Sequence, residues 1–240
     1  MSFFPHLRER AKGVWPNRLG ETEMNVEQAL PGVAVFDEHT VEYDRWFDEH
    51  KLIYEAELSA VRTFIPGTGL GIEVGVGTGR FAVSLGIKIG VEPSRCMARI
   101  ARDRGLGVCQ ALGEQLPFRD GQFDFLLLVT VICFVDDVIN LFREVSRVLA
   151  SDGRMVLGFI DRNSAVGRFY ESRKETSTFY RNARFYSTGD VVNFAQQVGF
   201  RNLEFRQTIF DLPDKLHTQE EVRNGYGDGA FVVLSAQRKP

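Results

Sequence analysis

The chain has 240 residues, of which 44% are hydrophobic and 25% charged, enough to bury the core of one large domain or two small ones. A formal net charge of -3 argues against broad electrostatic attraction to nucleic acid or to an anionic membrane surface. Three cysteines without a C-x-x-C pair fit a reducing compartment, and the longest nearly apolar run, 125–135, is far shorter than the roughly 20 residues of a membrane helix.

The N-terminal part of the chain carries no sign of regular structure or of a targeting segment. Its start, "MSFFPHLRER", lacks the apolar stretch of a signal peptide, so we expect a cytoplasmic protein. Residues 1–34 combine prolines with scattered charges and show no sustained period. We therefore expect a loosely ordered extension over 1–34 and one domain over 35–240.

The predicted domain starts with helical spacing and continues as alternating strands and helices. Apolar residues recur at helical intervals from Val41 to Phe64, with a break predicted near His50. Five short apolar runs follow, separated by helical stretches: "LGIEVGV", "IKIGVEP", "GVCQAL", "FDFLLLV" and "RMVLGFI". This alternation is typical of a parallel sheet that is covered by helices on both faces.

Local signals predict two further helices and the last two strands. An apolar stripe follows Asp136 and Asp137, and Ser187 with Asp190 forms a capping-box pattern for a helix that ends at Gly199. The runs "FRNLEFRQTIF" and "GAFVVLSAQRK" have no helical pattern between them. They predict an antiparallel pair at the end of an otherwise parallel sheet.

The stretch "GIEVGVGTGR" places Gly75, Gly77 and Gly79 where the first strand turns into a helix that is predicted to begin near Arg80. Residues without a Cβ let a ligand approach the backbone N–H groups and the positive end of a helix at such a turn. The spacing G-x-G-x-G differs from the G-x-G-x-x-G of a dinucleotide site, so a pyrophosphate fits it less well. An ordinary tight turn without a ligand is the alternative.

An acid at the end of the next strand favours a ligand over an ordinary turn. Glu92 stands in "GVEPS", 17 positions after Gly75, near the spacing at which an acid accepts hydrogen bonds from ribose hydroxyls. The predicted ligand is therefore a nucleoside without a pyrophosphate.

Four motifs in this order resemble the class I S-adenosylmethionine-dependent methyltransferases, within the small-molecule group that includes the ubiquinone and menaquinone methyltransferases. They are "EVGVGTGR", "GVEPS", "ALGEQLPFRDGQFDFLLLV" and "GYGDGAFVVL", and the resemblance extends from about Asp37 to the C-terminus. It implies an α/β fold with a Rossmann-like seven-stranded sheet of order 3-2-1-4-5-7-6, strand 7 antiparallel, and helices on both faces. It also implies S-adenosyl-L-methionine as the cofactor and S-adenosyl-L-homocysteine as the product.

The resemblance assigns cofactor roles to individual residues. Gly75 and Gly77 should line the methionine moiety, Glu73 should orient its amino group, and Glu92 should bind both ribose hydroxyls. Relatives usually place an acid where this chain has Leu112, so adenine recognition would rest on backbone groups just after it. The complete implied cofactor set is Tyr43, Glu73, Gly75, Gly77, Gly79, Glu92, Pro93, Leu112, Gly113, Glu114, Val129 and Thr130.

The acceptor side is implied to lie at the end of the fourth strand and after the fifth. A carbonyl at the fourth strand's end should meet the cofactor's amino group, with Ile132 and Cys133 next to the reacting centre. Residues 161–186 exceed what a crossover needs and mix aromatics with arginines, so we expect an inserted, mobile helical lid, closing together with the helix of Tyr43. The candidate acceptor contacts are Trp46, Cys133, Tyr170 and Arg184.

Direct methyl transfer from a sulfonium requires neither a metal nor a covalent enzyme intermediate, and the four histidines show no ligand-like spacing. A small-molecule methyl acceptor is the predicted partner. Aromatics interleaved with arginines can also bind single-stranded RNA, so an RNA methyltransferase is the alternative, although the overall acidity makes nucleic acid the weaker prediction. A cofactor-binding protein without turnover and an NAD-linked oxidoreductase are further alternatives, the last disfavoured by the glycine spacing.

Overall fold

The apolar runs form the strands of one mixed sheet. The computed structural model of the protein describes residues 31–212 and 215–239. The strands are β1 (Gly71–Val74), β2 (Ile89–Val91), β3 (Gly107–Cys109), β4 (Phe123–Val129), β5 (Leu149–Ile160), β6 (Arg201–Thr208), β7 (Arg223–Asn224) and β8 (Phe231–Gln237). They are ordered β3-β2-β1-β4-β5-β8-β6-β7.

The sheet has eight strands in the described residues, one more than the seven predicted. The first five strands in chain order pair in parallel, whereas β8 runs antiparallel to both β5 and β6, as predicted for the last strand. The additional strand is β7, which pairs with Arg206 and Gln207 at the sheet edge. It has only two residues, both polar and exposed, so the sequence contains no apolar run that would predict it.

The described helices are α1 (Pro31–Glu38), α2 (Thr40–Glu49), α3 (Lys51–Arg62), α4 (Arg80–Leu85), α5 (Arg95–Asp103), α6 (Val138–Val148), α7 (Ala165–Arg173) and α8 (Thr188–Gln197). His50 separates α2 from α3, which confirms the predicted break. Asp137 caps α6 by accepting from the Asn140 N–H, and Ser187 with Asp190 forms the predicted capping box of α8. None of these helices is long and apolar enough to cross a membrane.

Helices cover both faces of the sheet, as β4 illustrates. Leu126 and Leu128 pack in the apolar cluster that includes α6 and α8, whereas Leu127 and Val129 pack in the cluster that includes α3, α4 and α5. This alternation is the period-two pattern of a strand buried on both sides. The carboxyl ends of the parallel strands are left as the edge where an open α/β sheet binds ligands.

Charged side chains fasten α2 across the glycine turn. Asp44 accepts hydrogen bonds from Thr78 Oγ1 at 2.6 Å, from Arg80 Nε at 3.0 Å and from Arg104 at 2.7 and 2.8 Å. Although partial burial opposes ionisation, the hydrogen bonds from Arg104 and Arg80 hold the pKa of Asp44 below its ordinary value. The network fixes α2 beside the turn that follows β1.

A second acid fastens α1 to the start of α5. Asp37 Oδ1 accepts from Ser94 Oγ at 2.6 Å and from the Cys96 N–H at 3.0 Å. Residues 1–30 of the extension expected over 1–34 lie outside the described residues. Residues 31–34 form the first half of α1. Two N-terminal helices therefore lie over the ligand edge of the sheet.

Candidate functional site

A cavity of about 510 Å³ lies at the carboxyl ends of β1, β2 and β4, under the N-terminal helices. The segment after β5, Ile209 after β6, and the start of β8 complete its walls. The acids that line it are Glu57, Glu92, Glu114 and Asp136, and no lysine, arginine or histidine is among the described residues of its wall. The cavity is thus mainly apolar, and the acids are able to balance a cationic ligand when they ionise.

The glycine turn forms one wall, and its members have different reasons to lack a Cβ. Gly75 and Gly77 line the cavity with φ values of 71° and 54°, a region that favours glycine. A Cβ on Gly77 would project toward Tyr43, 3.5 Å from its Cε1. Gly79, assigned above to the cofactor, does not line the cavity: a Cβ there would meet Leu106 Cδ1 at 2.7 Å, so its role is to let α5 and the chain after it pack closely.

Glu92 joins the turn to the end of β2. Its Oε2 accepts the Gly77 N–H at 2.8 Å and its Oε1 accepts the Ser94 N–H at 2.9 Å. The side chain is 6% exposed, and burial raises its pKa from 4.5 to about 7 despite these two hydrogen bonds. Each oxygen can accept a further hydrogen bond, so the carboxylate can serve a ligand while it holds the turn.

Glu73 lies beside the cavity rather than in its wall. Its side chain is 2% exposed, and Oε2 has no hydrogen-bond partner among the described residues. Burial raises its pKa well above 4.5. It lines a separate space of about 10 Å³. Tyr43, Gly75 and Thr130 line both this space and the large cavity. A buried oxygen beside the cavity that has no partner needs a hydrogen-bond donor.

The remaining predicted cofactor residues also come together in the cavity wall. Pro93, Leu112, Gly113, Glu114, Val129 and Thr130 all line the cavity. Glu114 Oε1 accepts the Asp136 N–H at 3.1 Å, which ties the segment after β3 to the segment after β4. This wall offers apolar surface and backbone groups at the place where the resemblance puts adenine.

The predicted acceptor contacts divide into two pairs. Trp46 and Tyr170 line the cavity, but Cys133 and Arg184 do not. Cys133 packs with Ala183 and Phe185 in a small apolar cluster, and its Sγ donates to the Thr130 carbonyl at 3.3 Å. Burial raises the pKa of its thiol to about 12, so it remains protonated. The side chain of Arg184 is exposed, while its N–H donates to the Cys133 carbonyl at 2.8 Å. Ile132, implied to lie beside the reacting centre, is instead buried in the core.

Aromatic rings form another part of the cavity wall. Phe36 stacks on Phe179 at 5.7 Å between centroids, and Tyr43 meets Phe179 edge to face at 5.7 Å. Tyr170 and Tyr180 lie 5.3 Å apart. Residues 161–186 thus contribute aromatic side chains to the wall, as their composition indicated.

Glu57 is the site residue that sequence analysis missed. It lines the cavity from α3, is 8% exposed, and takes part in no hydrogen bond or ion pair with another described residue. Burial alone raises its pKa from 4.5 to about 8. A signal existed in the sequence, because Glu57 falls on the apolar stripe of α3 with Ile53, Ala60 and Val61.

The geometry fits S-adenosylmethionine by two observations. The orphaned Glu73 oxygen can accept from an ammonium group, and Gly77 leaves space in the cavity that a side chain would occupy, with Tyr43 Cε1 as the nearest atom at 3.5 Å. A cavity whose charged wall residues are all acids also complements a ligand that carries a sulfonium and an ammonium. Among the described residues, no group of three His, Cys, Asp or Glu side chains could hold a metal ion.

Known proteins agree with this fit. Residues 72–157 match the family model described as methyltransferase domain. An uncharacterized protein of Methanocaldococcus jannaschii is 46% identical over 204 residues, which are 85% of this chain and 98% of that protein. The malonyl-[acyl-carrier protein] O-methyltransferase of Geobacter sulfurreducens is 29% identical over 203 residues, 73% of this chain and 70% of that enzyme.

A solved structure also corresponds to most of the chain. It is the crystal structure of a SAM-dependent methyltransferase, possible histamine N-methyltransferase, from Thermotoga maritima, with 47% identity and a TM-score of 0.84. The alignment covers 87% of this chain and 100% of the Thermotoga chain. With this likeness and a site that fits the cofactor, the chain belongs to the S-adenosylmethionine-dependent methyltransferases.

Proposed function

We propose that this enzyme transfers the methyl group of S-adenosylmethionine to a small-molecule acceptor. The observation that carries the proposal is a cavity of about 510 Å³, which is lined both by the predicted cofactor residues other than Glu73 and Gly79 and by a separate aromatic wall. Its volume lies within the roughly 300–1,000 Å³ of small-molecule sites. The name of the Thermotoga relative makes small amines the first acceptors to test.

The cofactor roles follow from the position of each group. Glu92 would bind the ribose hydroxyls while its carboxylate holds the Gly77 N–H, and Glu73 would accept from the cofactor's amino group. Leu112 and Gly113 would face adenine, with Glu114 beside them. When bound, the cofactor supplies a methyl group already activated by the sulfonium. The protein's own share is to align the acceptor, exclude water and accept a proton.

The arginines of 161–186 do not support an anionic acceptor. Arg162 pairs with Asp190 at 3.1 Å, and Arg173 lies over the ring of Phe169 at 4.4 Å. Neither arginine lines the cavity. RNA or another polyanion would therefore meet acids at the described wall, which favours a small-molecule acceptor over RNA.

The function is tested by incubating the protein with methyl-labelled S-adenosylmethionine and either small-molecule extracts, including an amine fraction, or RNA. We expect label in a small molecule, without added metal. Label in RNA would overturn the proposed acceptor class. Stoichiometric binding of S-adenosylhomocysteine with no transfer to either pool would favour the alternative of a binding protein without turnover.

Replacing Glu92 by alanine should weaken binding of S-adenosylhomocysteine by about 1.5–3 kcal/mol, because charge-assisted hydrogen bonds are lost. The variant also frees the Gly77 N–H, so the turn itself is less ordered. Isothermal titration calorimetry measures the change, with Glu49→Ala, an exposed acid at the end of α2, as the control. Equal affinity in the Glu92 variant and the wild type would remove Glu92 from the site.

We propose that residues 161–186, together with α2, cover the acceptor compartment. Because the Asp44 network holds α2, we expect the larger motion in 177–184, which reaches the cavity through Phe179 and Tyr180 without regular secondary structure. Hydrogen exchange in 177–184 should be fast in the free protein and slow with S-adenosylhomocysteine and acceptor. Strong, equal protection in both states would contradict a moving cover.

A further inference from the structure

We propose that Glu57 is the acceptor-binding residue and that the acceptor is an amine, bound as a cation whose proton Glu57 accepts. The inference rests on the proposed function, since it assigns the acceptor within that same cavity. It is carried by one buried carboxyl group that faces the cavity without a partner.

Glu57 has no structural task that explains its burial. The other buried acids near the cavity are engaged: Glu92 holds two backbone N–H groups, and Glu73 meets the Ala82 backbone. Within the described chain, Glu57 has neither a hydrogen bond nor a salt bridge, although the residue is only 8% exposed. A buried acid of this kind is costly unless a ligand completes it.

The surroundings of Glu57 select a cation. Lysine, arginine and histidine do not occur among the described residues that line the cavity, so an anionic acceptor would face only acids. The elements beside Glu57 contribute Ile209 from the chain after β6, Ala230 just before β8, and Phe231 at the start of β8, none of them charged. An ammonium group would give Glu57 its missing counter-charge.

Aromatic rings provide the second half of an ammonium site. Tyr170 and Tyr180 line the cavity with Phe179, and a cation over such faces is attracted by the ring quadrupole. Glu57 interacts electrostatically with these tyrosines. Burial is the main cause that raises the pKa of Tyr170 to about 12, and the charge of Glu57 is the second cause. Tyr180, whose pKa is raised by burial first, also feels the charges of Tyr170, Cys133 and Glu57.

Tyr43 connects this compartment to the cofactor end. Burial raises the pKa of its hydroxyl, and the charges of Glu92, Glu73 and Glu57 raise it further. A single phenol is therefore within electrostatic reach of both assigned cofactor acids and of Glu57. An amine held at Glu57 would lie in the same cavity as the activated methyl group.

The proton step balances within the enzyme and the acceptor. The N–H bond of the ammonium breaks, an O–H bond forms on Glu57, and the electron pair stays on nitrogen as the lone pair that a methyl acceptor needs. The carboxylate becomes a neutral carboxyl group, and the amine loses its positive charge. A base with a pKa near the working pH suits such a transfer, and burial holds the pKa of Glu57 at about 8.

The test uses benzylamine and its uncharged counterpart, benzyl alcohol, with the protein saturated by S-adenosylhomocysteine. We expect calorimetry to show benzylamine bound at least about tenfold more tightly than benzyl alcohol. At pH 7 the free Glu57 carboxyl and the free ammonium both carry a proton, and the bound pair shares one. Titrations in buffers of different ionisation enthalpy should therefore show release of nearly one proton per benzylamine, falling above pH 8.

Glu57→Gln keeps the size of the side chain and removes its charge. It should bind S-adenosylhomocysteine as the wild type does, lose about 10- to 100-fold in benzylamine affinity, and release no proton. Glu55→Gln is the matched control on the same helix, because Glu55 pairs with Lys51 at 3.6 Å and lies outside the cavity wall. It should retain wild-type affinity and proton release.

Three outcomes would overturn the inference: equal affinity for benzylamine and benzyl alcohol, absence of benzylamine binding, or proton release that survives in Glu57→Gln. Label transferred only to a small molecule without an amino group would also overturn it and leave the proposed function standing. Failure of the wild type to bind S-adenosylhomocysteine would instead remove the proposed function itself.

Discussion

Gly77→Val should abolish binding of S-adenosylmethionine and its product while the protein remains folded. The new side chain would point from the turn toward Tyr43 into space that the cofactor needs, 3.5 Å from Cε1. It would also demand a φ of 54° from a β-branched residue, a strain of about 1–3 kcal/mol. Calorimetric titration should show no measurable heat, and circular dichroism should show retained secondary structure.

Strain and blockage can be separated by a second glycine. Gly86, at the other end of α4, has a φ of 77°, and a Cβ there would meet nothing within 4 Å. Gly86→Val should therefore lose comparable stability and keep cofactor affinity. If both variants bind the cofactor normally, Gly77 is not part of the site. If both lose binding, the effect is strain transmitted through α4.

The strand and helix pattern was predictable because each element carries its own local signal. Asp137 and Ser187 cap helices through bonds to residues three positions away, and β4 is apolar at every position except Asp124. The edge strand β7 was not predictable, since it consists of the two polar residues Arg223 and Asn224. Its pairing depends on the neighbouring strand rather than on its own composition.

The site was predictable where function and sequence motif coincide, and not where tertiary packing decides. Gly77 and Glu92 lie in motifs and meet in the structure at 2.8 Å. Gly79 belongs to the same motif, but α5 occupies the space beside it. Glu57 belongs to no motif, and its position in the cavity depends on how α3 packs on β5, β6 and β8. Its place on the apolar stripe of α3 predicts burial, but only the assembled fold shows that it lines the cavity.

Three buried acids around one cavity have a common consequence for stability. Burial raises the pKa of Glu57 to about 8 and that of Glu92 to about 7, and the pKa of Glu73 is also raised. Each carboxyl is therefore protonated in the folded protein at pH values where it is ionised in the unfolded chain. The free protein should be less stable at alkaline than at mildly acidic pH.

Glu57→Gln should remove the contribution of Glu57 to the pH dependence of stability in the cofactor-free protein. The folded pKa of about 8 exceeds the ordinary 4.5, so the contribution of Glu57 is fully present below pH 4.5 and is lost as the pH rises toward 8. Relative to the variant, the wild type should lose about 1.4 kcal/mol of unfolding free energy per pH unit in this window, or about 3–4 kcal/mol between pH 5 and pH 8.

Urea unfolding of both proteins at half-unit steps from pH 5 to pH 9 measures the difference. It should grow up to about pH 8 and then level, because Glu57 is ionised in both states above its folded pKa. Glu55→Gln should follow the wild-type curve, since Glu55 is partly exposed and ion-paired with Lys51. Parallel curves for the wild type and Glu57→Gln would mean that Glu57 is hydrated or already neutralised. The raised pKa on which the expected proton release depends would then be absent.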